Sequence, residues 1–240
     1  VTVDGRDLRD DRAEVRRRLG YLPQHFGAYP QLTAWEFLDY MGRLGGLHDK
    51  RHRRERMGQV LQDVALYEAR DRKTETFSGG MRRRLGIAQA IIADPEFIIV
   101  DEPTVGLDPE ERIRFRGILG RLSADRTILI STHIVGDISS TCEDLAVLRR
   151  GQLLFHGAPE DFVAGASGKT WLVETDDADF EEIANRFSVT SINADGVGME
   201  LRIVGEAEPP PGAQAAAPNL EDAYIYLSLI HISEPTRPQR

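Results

Sequence analysis

The chain has 240 residues, 41% of them hydrophobic and 29% charged, with a formal net charge of −9. That is enough apolar content for one good core and a small extension, yet no apolar run approaches the ~20 residues of a membrane-spanning helix. The single cysteine, Cys142, excludes an internal disulfide and fits a reducing compartment, and an acidic chain without interleaved aromatic residues is not expected to bind nucleic acid.

The charge is uneven: residues 1–90 carry 18 basic and 13 acidic side chains, and residues 91–240 carry 12 and 26. Residues 1–20 read as part of an antiparallel sheet, and residues 21–90 as mainly helical. Thr33-Ala34-Trp35-Glu36 is a capping box that opens a helix with Phe37, Leu38, Tyr40 and Met41. A second helix is expected from about Arg53 to Leu66. Arg51, Arg53, Arg54 and Arg56 form the densest basic run, which a solvated helix face explains.

Thr76-Phe77-Ser78-Gly79-Gly80-Met81-Arg82-Arg83-Arg84 leads into a third helix, with Ser78 as its N-cap. Two glycines at a helix start leave backbone N–H groups open to an anion, and the helix dipole favours phosphate there. Next, four apolar residues, Phe97 to Val100, run into Asp101, Glu102 and Pro103. A short apolar run reads as a buried strand of a parallel sheet. Two acids at its end are costly to bury, so they are expected at the carboxyl edge, where α/β folds bind ligands. One carboxylate there can hold a hard cation such as Mg²⁺ while its neighbour takes a proton from water.

Asp108, Pro109, Glu110 and Glu111 make a strong helix start, which by itself accounts for Asp108. Thr127 to Ser131 is a second buried β-type run, and it carries His133 to the same edge as Asp101 and Glu102. Strands are expected near 97–101, 127–131 and 144–148, with a turn at Arg150-Gly151. Farther on, strands near 170–174, 188–193 and 199–204 flank a helix near 178–187. Gly168-Lys169-Thr170 ends like a phosphate loop, but Val163 stands where its first glycine belongs and a strand follows, so it reads as an exposed turn. Gly205 to Pro218 reads as a flexible linker and 223–227 as a closing helix. Residues 228–240 change character and are set aside as a non-native or disordered tail.

The order of these pieces resembles the ATP-binding cassette (ABC) ATPase family. Phe77-Ser78-Gly79-Gly80-Met81 is similar to its signature, although Phe77 and Met81 stand where Leu and Gln are more common. Phe97 to Asp101 resembles its Walker B strand, Leu107-Asp108 its D-loop, and Tyr21-Leu22-Pro23-Gln24 its Q-loop. Glu102 stands where the family has its catalytic base, and His133 where it has its switch histidine.

The resemblance implies an α/β, P-loop NTPase-like nucleotide-binding domain with a mostly parallel sheet and a helical subdomain. That domain would span residues 1–157, with a small α+β extension over 158–227. ATP and Mg²⁺ are the implied ligands. Asp101 would hold Mg²⁺ through water, and Glu102 would polarise the attacking water. His133 would contact the γ-phosphate, and Gln24 would sense the metal and the water. Ser78, Gly79 and Gly80 would bind the nucleotide of a second, head-to-tail subunit, identical or paired, with Asp108 linking the two sites. The implied place is the cytoplasmic face of the cell membrane, against a transmembrane permease subunit. Phe26, Tyr29, Pro30, Leu32 and Trp35 are the large apolar groups of the segment that would meet it.

The family's phosphate loop, G-x-x-x-x-G-K-[ST], normally precedes the Q-loop. Here 23 residues precede Gln24 and none is lysine, so the chain is expected to be N-terminally truncated and inactive by itself. Two other readings stay open: an ATPase-inactive regulatory or scaffolding cassette, and an ABC ATPase with no role in transport.

Overall fold

A computed structural model describes residues 2–3, 5–7, 9–138, 142–194 and 198–233. It divides into two units, Val1–His133 and Ile134–Arg240. In the first, β1 (Thr2–Val3) and β2 (Arg6–Asp7) pair antiparallel. The expected antiparallel sheet stops there, because α1 (Arg12–Arg18) follows. Its last turn holds three arginines, which a helix C-terminus favours.

Three strands form the parallel sheet in the order β3 (Leu19–Leu22), β4 (Phe97–Asp101), β5 (Thr127–Ser131). Their register pairs Leu22 with Val100 and Asp101 with Ser131. β4 buries Ile98 and Val100, whereas β5 is not the buried run expected from its composition: it alternates exposed and half-exposed residues, and Leu129 is 56% exposed. Ile128 and Ile130 pack against the core, while Thr127, Leu129 and Ser131 lie on the opposite, exposed face of the strand.

Helices α2 (Ala34–Leu44), α3 (Lys50–Asp63), α4 (Gly79–Ile91) and α5 (Pro109–Leu122) complete the unit. The capping box is present: Thr33 Oγ1 accepts the Glu36 N–H at 3.1 Å and Glu36 Oε2 accepts the Thr33 N–H at 2.9 Å. α3 begins ahead of the expected Arg53 because Asp49 caps it, its Oδ1 accepting the His52 N–H at 2.7 Å. It ends early because Ala65 turns left-handed at φ +53°. The N–H groups of Ala65 and Leu66 then close on the carbonyls of Gln62 and Leu61, a Schellman ending. One core joins Leu22, Phe37, Met57, Leu85, Ile98 and Phe115, so sheet and helices share a single apolar interior.

In the second unit, β6 (Leu145–Arg149) and β7 (Gln152–Gly157) form a hairpin. Arg150 and Gly151 both have positive φ, as a two-residue type I′ turn requires. α6 (Pro159–Ala164) and α8 (Leu220–Ser233) pack on it around Phe162 and Ala223. The hairpin thus has its own core, within the unit that follows His133.

β8 (Thr170–Thr175), β9 (Ser188–Ala194), β10 (Met199–Val204) and β11 (Gln214–Ala215) form an antiparallel sheet, with α7 (Asp177–Arg186) beside β8 and β9. The 205–218 segment is therefore not a free linker. β11 pairs with β8, and the Ala216 N–H reaches Thr170 O at 3.0 Å. The tail boundary at 228 falls inside α8, which continues to Ser233; residues 234–240 lie outside the described residues. Among the described residues no helix is long and apolar enough to cross a membrane.

Candidate functional site

The carboxyl ends of three parallel strands bring the predicted residues to one edge, as open α/β sheets do. Gln24 follows β3, Asp101 and Glu102 end β4, and His133 follows β5. Because Asp101 and Ser131 are register partners, Ser131 Oγ can donate to Asp101 Oδ1, at 2.6 Å. The Glu102 N–H donates to Ser131 O at 3.0 Å and approaches its Oγ at 3.3 Å. Glu102 Oε2 lies 2.8 Å from His133 Nδ1, so the acid and the imidazole expected at this edge meet directly.

Glu102 holds φ at +44°, a left-handed conformation unusual for a residue with a Cβ. Its side chain is 21% exposed, and that of His133 is 69% exposed. The pair therefore sits with the acid sheltered and the imidazole toward solvent. With Nδ1 bonded to the carboxylate, the imidazole keeps Nε2 for a further partner.

Ser78 caps α4, its Oγ accepting the Met81 N–H at 3.2 Å. Gly79 is open: a Cβ built on it meets nothing within 4 Å. Gly80 is instead covered by the Glu111 side chain. Asp108 caps α5 as its local sequence implies, with Oδ1 accepting the Glu111 N–H at 2.8 Å. Ser78, Gly79, Gly80 and Asp108 thus cluster around the starts of α4 and α5, while Asp101, Glu102 and His133 cluster at the strand ends.

Sequence reasoning passed over three residues of this edge. Ser131 ends the Thr127–Ser131 run, and its partnership with Asp101 is set by strand register, which no local signal in the sequence gives. Glu111 was read as a first-turn acid, yet its carboxylate pairs with the buried Arg84, Nε to Oε2 at 3.4 Å. Arg83 belongs to the segment that leads into the third helix and is 8% exposed. Its five guanidinium contacts go to main-chain carbonyls of Pro23, Gln24, Asp101, Glu102 and Pro103, at 2.7–2.9 Å. Burial lowers the Arg83 pKa from its ordinary value, while the nearby Asp101 charge opposes that shift.

Mg²⁺ suits the donors present. It commonly takes one or two carboxylates and completes its shell with water and substrate phosphates. Asp101, oriented by Ser131, offers one such carboxylate. Among the described residues no three His, Cys, Asp or Glu side chains gather into an all-protein metal cage.

Comparisons with known proteins agree with this geometry. The profile of the family described as ABC transporter matches residues 1–105. An uncharacterized ABC transporter ATP-binding protein, YxlF of Bacillus subtilis (strain 168), is 39% identical over 142 residues, covering 59% of this chain and 48% of the relative. The ABC transporter ATP-binding protein NatA of the same organism is 37% identical over 163 residues, 67% of this chain and 65% of the relative. A solved structure described as the ATP binding subunit of an ABC transporter superposes with a TM-score of 0.59 at 26% identity, covering 68% of each chain. The chain spans about half the length of the first two curated relatives it matches, 48% and 47%. With the motif order, the parallel sheet and the acid–imidazole pair in hand, these matches place the chain in the ABC transporter ATP-binding family.

Proposed function

We propose that this chain is part of an ATP-binding and ATP-hydrolysing subunit that closes head to tail with a second cassette and drives a separate membrane permease. The observation that carries the reading is the 2.8 Å contact between Glu102 and His133, beside an Asp101 carboxylate held by Ser131. Glu102 acts as the base that orients and deprotonates the attacking water. His133 holds that carboxylate through Nδ1 and leaves Nε2 toward the phosphates. Asp101 is the carboxylate for Mg²⁺, which when bound offsets negative charge on the phosphates. Gln24 stands at the same edge to sense the metal and the water. The N–H groups at the start of α4, with Ser78, Gly79 and Gly80, face the nucleotide of the second cassette, and Asp108 links the two sites.

The permease contact falls on the helical part. Tyr29 and Tyr40 are 56% and 44% exposed and meet edge to face at 5.9 Å. Phe26, Leu32 and Trp35, expected in the same surface, are half-buried against the core and support it from beneath. Such a partner puts the subunit at the cytoplasmic face of the membrane.

The test is Glu102→Gln in a protein extended to carry G-x-x-x-x-G-K-[ST]. ATP binding should persist while turnover falls by roughly 10²–10⁴-fold; near-normal turnover removes Glu102 from the role of base. The 240 residues alone, without that loop, should bind Mg-ATP weakly, and micromolar binding by them would overturn this part of the reading.

A further inference from the structure

Arg83 lies in the second turn of α4, whose first turn holds the two signature glycines. Its guanidinium is spent on main chain alone, and the contacts fall in two groups. Nη1 donates to Pro23 O at 2.7 Å and Gln24 O at 2.8 Å, at sequence separations of 60 and 59. Nη2 donates to Asp101 O at 2.8 Å and Glu102 O at 2.9 Å, and Nε to Pro103 O at 2.8 Å. The planar fork has five N–H donors, and five contacts engage it on both sides.

The second group bears on Glu102. Its left-handed backbone is a conformation that persists only where surrounding contacts over-determine it. The Ser131 carbonyl takes the Glu102 N–H, and Arg83 takes the Glu102 carbonyl. The peptide units on both sides of Glu102 are thereby pinned, which fixes the direction of its side chain toward His133.

We propose that Arg83 is a positioning residue for hydrolysis: one buried guanidinium ties the backbone of Gln24 to that of Asp101, Glu102 and Pro103 and so holds the base in its left-handed conformation. This rests on the reading of Glu102 as the base. It also gives α4 a direct mechanical grip on the acid turn. A displacement of the signature helix is carried to the hydrolytic carboxylate without passing through the nucleotide.

The experiment pairs two measurements on Arg83→Lys and Arg83→Met. In the 240-residue chain, amide hydrogen exchange compares Glu102 with Ile99 at the centre of β4. The expected result is Glu102 exchange faster by at least about tenfold with Ile99 unchanged. In the extended protein, kcat should fall about tenfold for Lys and about a hundredfold for Met, while the Kd for Mg-ATP stays within about threefold.

Unchanged Glu102 exchange, or kcat and Kd weakening together in step with a lower Tm, makes Arg83 an ordinary buried arginine and overturns the proposal. If Arg83→Met does not fold, Arg83→Lys, which keeps the buried charge, decides by the same criteria. If the extended wild-type protein hydrolyses no ATP, the ATPase reading fails, and the exchange comparison still decides whether Arg83 holds Glu102.

Discussion

Glu111 lies so close over Gly80 that a Cβ built on the glycine would stand 2.4 Å from both Glu111 Cδ and Oε2. The same carboxylate serves Arg84 and Arg114, the latter at 3.0 Å. A side chain at position 80 would therefore displace Glu111 from its partners. Gly80→Ala is expected to destabilise the fold by about 1–3 kcal/mol, the scale of a broken part-buried ion pair. In a Glu111→Ala background the sign should reverse, because alanine is about 0.5–1 kcal/mol better than glycine inside a helix. A double-mutant cycle by urea denaturation checks this, with strong coupling as the expected result.

Gly20 sets how near β3 lies to α4. An added Cβ would stand 2.4 Å from the main-chain oxygen of Ala90 and 3.0 Å from Pro95 Cγ. Unlike Glu111, a helix carbonyl cannot swing aside. Gly20→Ala should cost about 2–3 kcal/mol by overpacking. The urea midpoint should fall with the slope unchanged.

Asp222 is fully buried at the start of α8. It accepts two bonds from Arg202 Nε, at 2.9 and 3.1 Å, one from Nη2 at 2.7 Å, and one from Thr190 Oγ1 at 2.8 Å. Asp222→Asn removes the charge and leaves the Arg202 guanidinium without its counterion. A loss of about 2–4 kcal/mol in the stability of the second unit is expected. Hydrogen exchange of β9 and β10 amides reads it, and exchange rates like those of the wild type would refute it.

Tyr226 on α8 donates its phenol to Glu206, which also takes Lys169 Nζ at 2.5 Å. The bond to Glu206, then burial, pushes the phenol from 10.0 up to about 12. The phenol is protonated in both folded and unfolded chains below pH 10. The contact therefore contributes its full stability there and loses it as the pH climbs from about 10 toward 12. Ultraviolet titration of the phenolates should show one late-ionising tyrosine, missing in Tyr226→Phe and moved back toward 10 by Glu206→Gln.

The chemistry of the acid turn was legible because it is local. An apolar run ending in two acids admits few folded solutions, and a histidine at the end of the next run lands at the same edge whenever the strands are parallel neighbours. Helix starts were legible at the caps Thr33, Ser78 and Asp108, though not at Asp49, which caps α3 ahead of the expected start. What escaped was decided at long range. Nothing local distinguishes Arg83, buried among carbonyls, from Arg82 beside it. The exposure of β5 depends on what covers each of its two faces, not on its own residues. β11 needed the free side of β8 to become a strand, so a Pro- and Ala-rich stretch read as linker. α1 was missed because its seven residues carry four arginines and a weak apolar stripe.

β5 has one further consequence. Thr127-Ile128-Leu129-Ile130 is β-branched or aliphatic throughout, with neither a charge nor a proline to interrupt it. Among the described residues its outer flank has no strand neighbour. Natural sheets blunt such a margin with lysines, prolines or bulges, because an unblunted one templates pairing with strands of other molecules. The segment that delivers Ser131 and His133 to the site therefore has, among the described residues, an outer flank open to pairing with a further strand.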